Sequence, residues 1–379
     1  MTLKPTAISL FCGCGGLDLG FVRAGFKICE AYDHWKPAVE NHNKNINLLG
    51  GEAHLKSLSL KDDEIKIEEF PKVDLVLGGP PCQGFSFAGK QLIDDPRNFL
   101  YLDFKSIVEH VQPRVFLMEN VRGLEKMALS EIQKSFQNIG YNVCVDRAAA
   151  IDLGIPQRRE RVIIVGTRLN EKTFRTPSIF LGGLFGAQTP SSVLDAIRDL
   201  GEPVAAEEGE KIDAKTFMDD HRYQKLSQIE QKFIRHIPNG GYFGDAPRAS
   251  LPERLKKIYD DPIKYKSPRL FPKADPNRPS QTVPASTSPS IGGVIAPDLD
   301  YSGGNGVPVD TFLNTENGIY TAPNESRRFT PREIARLQTF PDDFLFTGAS
   351  STKTKMIGNA VPVKLAEVYA TEIMSQLFE

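Results

Sequence analysis

"TAISLFCGCGGLDLGFVRAGFKICEAYD", Thr6 to Asp33, holds three signals in a row. Thr6 to Cys12 is a short apolar run that stops at glycines, and Leu17 to Gly25 then has helical spacing with Gly25 as its stop. Phe26 to Asp33 is strand-like again. A strand, a glycine turn, a helix and a second strand form the basic unit of an α/β protein. The pattern recurs downstream. "VDLVLGG" (Val73 to Gly79), "RVFLMEN" (Arg114 to Asn120) and "RVIIVGT" (Arg161 to Thr167) read as buried strands, with amphipathic stretches such as Phe99 to Val111 between them. The expectation is an α/β fold built on a doubly wound, mainly parallel sheet.

The alternation stops near Arg168. From there to about Pro323 the chain is rich in Gly, Pro, Ser and Asn, with one charged helical stretch around Gln224 to Ile237, which predicts a second, smaller, loop-rich domain. "TPREIARLQ" (Thr330 to Gln338) opens as a helix at Thr330 and Pro331, and a last apolar helix runs from about Pro362 to Phe378. At 379 residues the chain exceeds what one core usually serves. The expected division is 1–178 for a catalytic body, 179–345 for the loop-rich domain, and 346–379 packing back on the body.

Composition excludes several classes. No run of about 18 apolar residues is present, which argues against a membrane span. The first residues lead into a strand without the pattern of a signal peptide, so a cytoplasmic protein is expected. The five cysteines make an odd count and do not describe a disulfide framework, and Cys12 and Cys14 have no further ligands at recognised spacing, so no metal site is expected. A net charge of −2 gives no global sign of nucleic acid. Locally, "RLKKIYDDPIKYKSPRLFPK" (Arg254 to Lys273) has seven basic residues against two acidic ones, interleaved with Tyr259, Tyr265 and Phe271. Taken alone, such a run is a solvated face.

Several residues point to chemistry. Gly13, Gly15 and Gly16 lie between a strand and a helix, where backbone amides can approach a ligand, and Asp33 falls one strand later, where a carboxylate binds ribose hydroxyls in doubly wound folds. By themselves they equally describe a tight turn and a surface carboxylate. Cys82 stands at the carboxyl end of a strand, in "GGPPCQGFS", with Pro80 and Pro81 stiffening the turn. A lone thiol is more often a small buried hydrophobe; to act as a nucleophile it needs an electrophile. The same sheet edge offers Glu119, in "MENV", and the cluster "QRRER" (Gln157 to Arg161), which would otherwise be a charged turn. A carboxyl group on a ring nitrogen would make a heteroaromatic ring electrophilic, and arginines would hold a ring carbonyl.

Six segments in this order resemble the DNA (cytosine-5) methyltransferases: "FCGCGGLDLGF", "GGPPCQGFS", "MENV", "QRRER", "RRFTPREIARLQTFPDDF" and "IGNAVP". The resemblance covers the chain from its start to its C-terminal helix, apart from Leu169 to about Arg269. It implies a fold of the S-adenosylmethionine-dependent methyltransferase type with a target-recognition domain. It also implies S-adenosyl-L-methionine as cofactor, S-adenosyl-L-homocysteine as product, and double-stranded DNA as substrate. Carried over by position, Phe11, Cys14, Gly16, Leu17, Asp33, His34, Pro81 and Leu100 would line the cofactor pocket, and Asn359, Ala360 and Val361 would close its methionine end. Cys82 would attack cytosine C6, Glu119 would engage N3 and the exocyclic amine, the Pro80 carbonyl would face that amine, and Arg161 would hold O2. Gln157 and Arg159 would support the loop around them.

Attack at C6 needs a face hidden by stacking, so the base must be extruded, at a cost of a few kcal/mol that phosphate and groove contacts offset. Ser86, Lys256, Lys257, Lys264, Lys266, Arg269 and Arg278 are the expected DNA contacts, with Lys353 and Lys355 on the other rim. The whole describes a monomeric, sequence-specific enzyme of the bacterial restriction-modification kind, with a cognate endonuclease as a possible companion. Two rivals remain. One is a tRNA methyltransferase; that branch of the family carries a Cys-Phe-Thr tripeptide, whereas this chain has no cysteine beyond Cys144. The other is a DNA-binding regulator without activity.

Overall fold

The computed structural model describes residues 3–59, 66–81, 100–177, 191–207, 214–261, 270–285 and 294–379. Cys82, Ser86, Lys264, Lys266 and Arg269 lie outside the described residues. The chain divides into two compact units: Met1–Leu153, Glu160–Thr189 and Ala360–Glu379 form the first, and Gly154–Arg159 with Pro190–Asn359 form the second.

The first unit follows the strand–helix alternation. In chain order it has β1 (Thr6–Leu10), α1 (Gly16–Arg23), β2 (Lys27–Asp33), α2 (Lys36–Lys44), α3 (Ile46–Leu49), β3 (Glu52–Leu55), β4 (Leu75–Gly78), α4 (Leu100–Val111), β5 (Val115–Val121), α5 (Leu124–Met127), α6 (Leu129–Gln137) and β6 (Tyr141–Ala149). After β7 (Gln157–Arg158), which belongs to the second unit, β8 (Glu160–Arg168) returns to the sheet. The seven strands lie in the order β3-β2-β1-β4-β5-β8-β6, and β8 alone runs against its neighbours. The expected doubly wound, mainly parallel sheet is thus present, with β1, β4 and β5 at its centre. The carboxyl ends of β1 and β4 flank the point where the strand order reverses, the usual place of the ligand crevice in such folds.

Apolar side chains on one sheet face pack with α4 and α6. Phe116 of β5 stacks on Phe136 with ring centroids 4.2 Å apart and meets Phe104 edge-on. Beside them β8 has glycine for a steric reason: a Cβ at Gly166 would lie 1.9 Å from the Phe116 ring. Gly166→Ala should therefore cost about 1–3 kcal/mol of stability through overpacking, read as a lower urea midpoint. An unchanged midpoint would mean that the phenyl ring can swing aside. On α1, Gly20 admits the C-terminal helix Val363–Leu377, since a Cβ there would fall 2.4 Å from that of Ala366. That helix packs on α1 within the first unit.

The second unit holds α7 (Val193–Ile197), α8 (Gln228–Ile234), α9 (Glu253–Asp260), α10 (Pro331–Leu337) and α11 (Ser350–Asn359), joined by long irregular stretches and two-residue strands. One apolar core gathers Phe233, Ile237, Phe243, Leu255 and Phe271. A buried polar core flanks α10. Thr330 caps that helix reciprocally with Glu333, whose carboxylate also takes both amino groups of Arg327 at 2.7 Å.

Both units depart from the expected boundaries. Residues 346–359 cluster with the second unit because Lys353 of α11 is buried there, its ammonium 2.7 Å from Asp220. The expectation of Lys353 on a DNA rim is corrected accordingly: an ammonium held by a buried carboxylate does not reach phosphate. Residues 154–159 also fall in the second unit, because β7 pairs with the two-residue strand Ser280–Gln281 rather than with the sheet.

Candidate active site

The glycine turn after β1 owes its shape to left-handed backbone at alternate positions, Phe11 (φ 56°), Gly13 (φ 56°) and Gly15 (φ 94°). Two of the three lack a side chain, and at Gly13 a Cβ would meet nothing within 4 Å, so this point of the turn faces open space. Gly15 is the N-cap of α1 and offers no side-chain cap to its amides. Cys12 and Cys14 are buried, and burial raises both thiols well above their ordinary range, that of Cys14 to about 12. Both thiols are therefore neutral at physiological pH, and Leu17 is buried with them.

Asp33 ends β2 with its carboxylate on two backbone amides, Gly13 N at 2.9 Å and Trp35 N at 2.8 Å. It ties the glycine turn to the start of α2, and each oxygen keeps a second lone pair. His34 is mostly exposed, with Nδ1 3.4 Å from Asp33. Leu100 opens α4 and Pro81 follows β4, both partly buried. Asn359 is the exposed last residue of α11 in the second unit, while Ala360 and the buried Val361 belong to the first.

Beneath the turn lies a fully buried polar chain. Ser9 Oγ donates to Asp18 Oδ1 at 2.5 Å, and His42 Nε2 lies 2.9 Å from Asp18 Oδ2. The Cys12 sulfur also comes within 4.8 Å of ligand atoms of Asp18 and His42. A metal would have to displace both hydrogen bonds to Asp18 and ionise a thiol that burial holds neutral, so the donor set describes a hydrogen-bonded network.

At the centre of the sheet, the double glycine of "LGGPP" has two separate causes. A Cβ at Gly78 would fall 2.3 Å from the Leu10 carbonyl oxygen, so the close approach of β4 to β1 requires glycine. One at Gly79 would come 3.2 Å from Glu119 Oε2, so the next glycine leaves room for that carboxylate. Glu119 sits near the carboxyl end of β5. Val121, two residues on and on the same face, is opposite Arg161 of β8. This diagonal brings Arg161 Nε to 2.8 Å from Glu119 Oε1, with each side chain little more than a tenth exposed. Burial is the largest influence on the Arg161 guanidinium and draws it below its ordinary value, while Glu119 works in the other direction. The pair is a fixed carboxylate and a fixed cation side by side at the sheet edge, able to hold complementary edges of a planar polar ring.

Asn120, which the sequence reading passed over, is buried beside them and donates from Nδ2 to the Pro80 carbonyl at 3.0 Å. This bond fixes the last residues before Cys82 to β5. Its signal in the sequence was only its place after Glu119, where strand alternation turns it to the opposite face.

Gln157 and Arg159 do not present their side chains for chemistry. Gln157 donates to the Leu337 carbonyl and Gln338 Oε1, both at 3.2 Å, and accepts from Val283 N at 3.0 Å. Arg159 reaches the carbonyls of Val283 at 3.3 Å and Gly358 at 3.1 Å. Both are buried inside the second unit, where they clamp the backbone at Val283 to α10 and α11. Buried and engaged by backbone, the two side chains position the segments around them and are not placed to touch a substrate.

On α9, Leu255 and Ile258 face the core while Arg254 and Lys257 are exposed and carry no ion pair among the described residues. Lys256 pairs with Glu253 at 2.8 Å and Arg248 with Asp260 at 2.5 Å, so part of the basic run is neutralised locally. Arg278 is exposed, 3.4 Å from Asp275.

Comparison with known proteins agrees with this arrangement. The family model of the C-5 cytosine-specific DNA methylases matches residues 6–375. The chain is 34% identical over 371 residues to the type II methyltransferase M.NgoFVII of Neisseria gonorrhoeae, covering 95% of this chain and 83% of that one. It is 33% identical over 381 residues to M.FnuDI of Fusobacterium nucleatum, covering 98% and 94%. In fold it is similar to a solved E. coli prophage protein described as a candidate DNA modification methyltransferase, with 24% identity, a TM-score of 0.67, and coverage of 99% and 100%. With the family model matching nearly the whole chain and relatives above 30% identity along almost all of it, the chain belongs to the family of C-5 cytosine-specific DNA methylases.

Proposed function

We propose that the protein transfers a methyl group from S-adenosyl-L-methionine to C5 of a cytosine extruded from double-stranded DNA, through a covalent bond between Cys82 and C6. The observation that carries this reading is the Glu119–Arg161 pair, a carboxylate and a guanidinium held 2.8 Å apart where the cytosine edge would lie. The glycine turn fits the cofactor: it is open at Gly13, its amides adjoin a helix N-terminus, and Asp33 stands beside it for ribose hydroxyls. When bound, the cofactor supplies an electrophilic methyl group. Phe11, Cys14, Gly16, Leu17, His34, Pro81 and Leu100 are proposed for its walls and Asn359, Ala360 and Val361 for its methionine end.

The chain's own residues then have distinct tasks. The Cys82 thiolate adds to C6, and the ring electrons move to C5, which takes the methyl group. Glu119 stabilises the ring by a hydrogen bond at N3 and accepts from the exocyclic amine, for which the Pro80 carbonyl is proposed to use the lone pair that Asn120 leaves free. Arg161 stabilises the charge at O2. Loss of the C5 proton to a base then expels the Cys82 sulfur and restores the ring.

The second unit is proposed as the target-recognition domain, with Arg254, Lys257 and Arg278 on phosphates, beside Ser86, Lys256, Lys264, Lys266 and Arg269. Each phosphate contact contributes about 0.9 to the slope of log affinity against log salt. The double variant Arg254→Ala/Lys257→Ala should therefore flatten that slope by about two. An unchanged slope would remove α9 from the interface. The enzyme is proposed to act as a monomer on cytoplasmic DNA, within a restriction-modification system that pairs it with an endonuclease for the same site.

The reading is tested by transfer of labelled methyl from the cofactor to unmethylated genomic DNA, with tRNA in parallel and base-resolution mapping of 5-methylcytosine. Label at one short DNA motif is expected. Label in tRNA alone would overturn the substrate, and silence on both with cofactor bound would favour a regulator.

A further inference from the structure

The buried chain Ser9–Asp18–His42 joins three elements that meet under the glycine turn. Ser9 lies on β1, Asp18 in the first turn of α1 and His42 on α2, all without solvent exposure. A carboxylate only accepts, so the proton between His42 and Asp18 is on Nε2. The other ring nitrogen, Nδ1, is buried with no hydrogen-bond partner among the described residues, so Asp18 is the group that orients the ring. A buried carboxylate is tolerated because two donors, one from each neighbouring element, satisfy it.

The imidazole also touches the turn. A Cβ at Gly15 would fall 2.6 Å from Leu49 and 3.1 Å from His42 Cδ2, so the Gly15 backbone rests directly on those two side chains. Asp33 holds the same turn two residues earlier, through Gly13 N. The turn is therefore held at two points, by a carboxylate beside the expected ligand and by an imidazole that does not reach it.

We propose that His42, oriented by Asp18 and Ser9, is a positioning residue that sets the glycine turn for the cofactor. The inference rests on the cofactor reading of that turn. Preorganised backbone amides bind without the cost of ordering; freed from the network, Gly13 to Gly16 would have to be ordered by the ligand. His42→Leu removes the donor and keeps apolar bulk, whereas His42→Gln keeps a donor that can reach Asp18.

The test is calorimetric titration of the full chain with S-adenosyl-L-homocysteine. His42→Leu should weaken binding about tenfold or more at unchanged stoichiometry, the loss expected for a hydrogen bond to a charged group. His42→Gln should recover to within about threefold of the parent on the same reasoning. A purely structural role would lower the fraction of competent sites and leave the affinity of the remainder unchanged; that result would overturn the proposal. So would equal weakening in both variants, which would assign the effect to ring volume. If His42→Leu does not fold, Ser9→Ala removes the other donor to Asp18, and parental affinity in that variant would equally contradict the positioning role. Failure of the parent protein itself to bind the product would instead refute the cofactor reading.

Discussion

Cys82→Ala is expected to abolish methyl transfer, by on the order of 10⁴-fold or more, while DNA binding persists. Cytosine C5 is a poor nucleophile until C6 is saturated, and no other group on the chain is proposed to add there. The thiols of Cys12 and Cys14 cannot substitute, because both are buried and held neutral. Removing one sulfur leaves phosphate and groove contacts untouched, so rate and binding should separate. Gel-shift affinity and single-turnover methylation measured on the same preparation decide the matter. Turnover above a hundredth of the parent rate would refute Cys82 as the nucleophile.

Glu119→Gln should slow transfer about 10²-fold or more. Glutamine preserves the volume that Gly79 leaves open and one acceptor for Arg161, so the fold should tolerate it. What it removes is the charge, and with it the ability to accept from the amine while exchanging a proton at N3. Arg161 also loses its counter-ion in a mostly buried site, so the urea midpoint should be measured alongside the rate. A rate within twofold of the parent, with an intact midpoint, would remove Glu119 from the chemistry.

Much of this architecture was legible because its physics is local. The apolar runs at Thr6, Val73, Arg114 and Arg161 became central strands of the sheet, where burial on both faces demands such runs. The glycine turn was visible for the same reason, since left-handed backbone at 13 and 15 calls for glycine. Two strands went unread. The edge strand β6, "YNVCVDRAA", is half-buried along most of its length and mixes charge with apolar residues, and β3 has only four residues. The reversed direction of β8 is set by its pairing with β5 and β6, which composition does not encode.

Long-range partners account for the remaining differences. Gln157 and Arg159 look like an exposed charged turn until β7 pairs with a strand more than a hundred residues away. Their alternation was nonetheless a usable signal: positions 157 and 159 are buried and 158 and 160 exposed, the period of a strand. Lys353 gave no such warning, because its partner Asp220 lies far along the chain, at the end of the short 3₁₀ helix Phe217–Asp220.

The central claim is a covalent bond between Cys82 and a cytosine in DNA. The most direct measurement is incubation of the enzyme and cofactor with duplex DNA in which 5-fluorocytosine replaces cytosine, followed by denaturing electrophoresis and peptide mass analysis. Fluorine at C5 cannot leave as a proton does, so elimination is blocked and the adduct should persist. The account predicts a denaturation-stable complex that depends on cofactor, with the nucleotide attached to the peptide containing Cys82. Under conditions where ordinary DNA is methylated, absence of that complex, or attachment at any other residue, would contradict it.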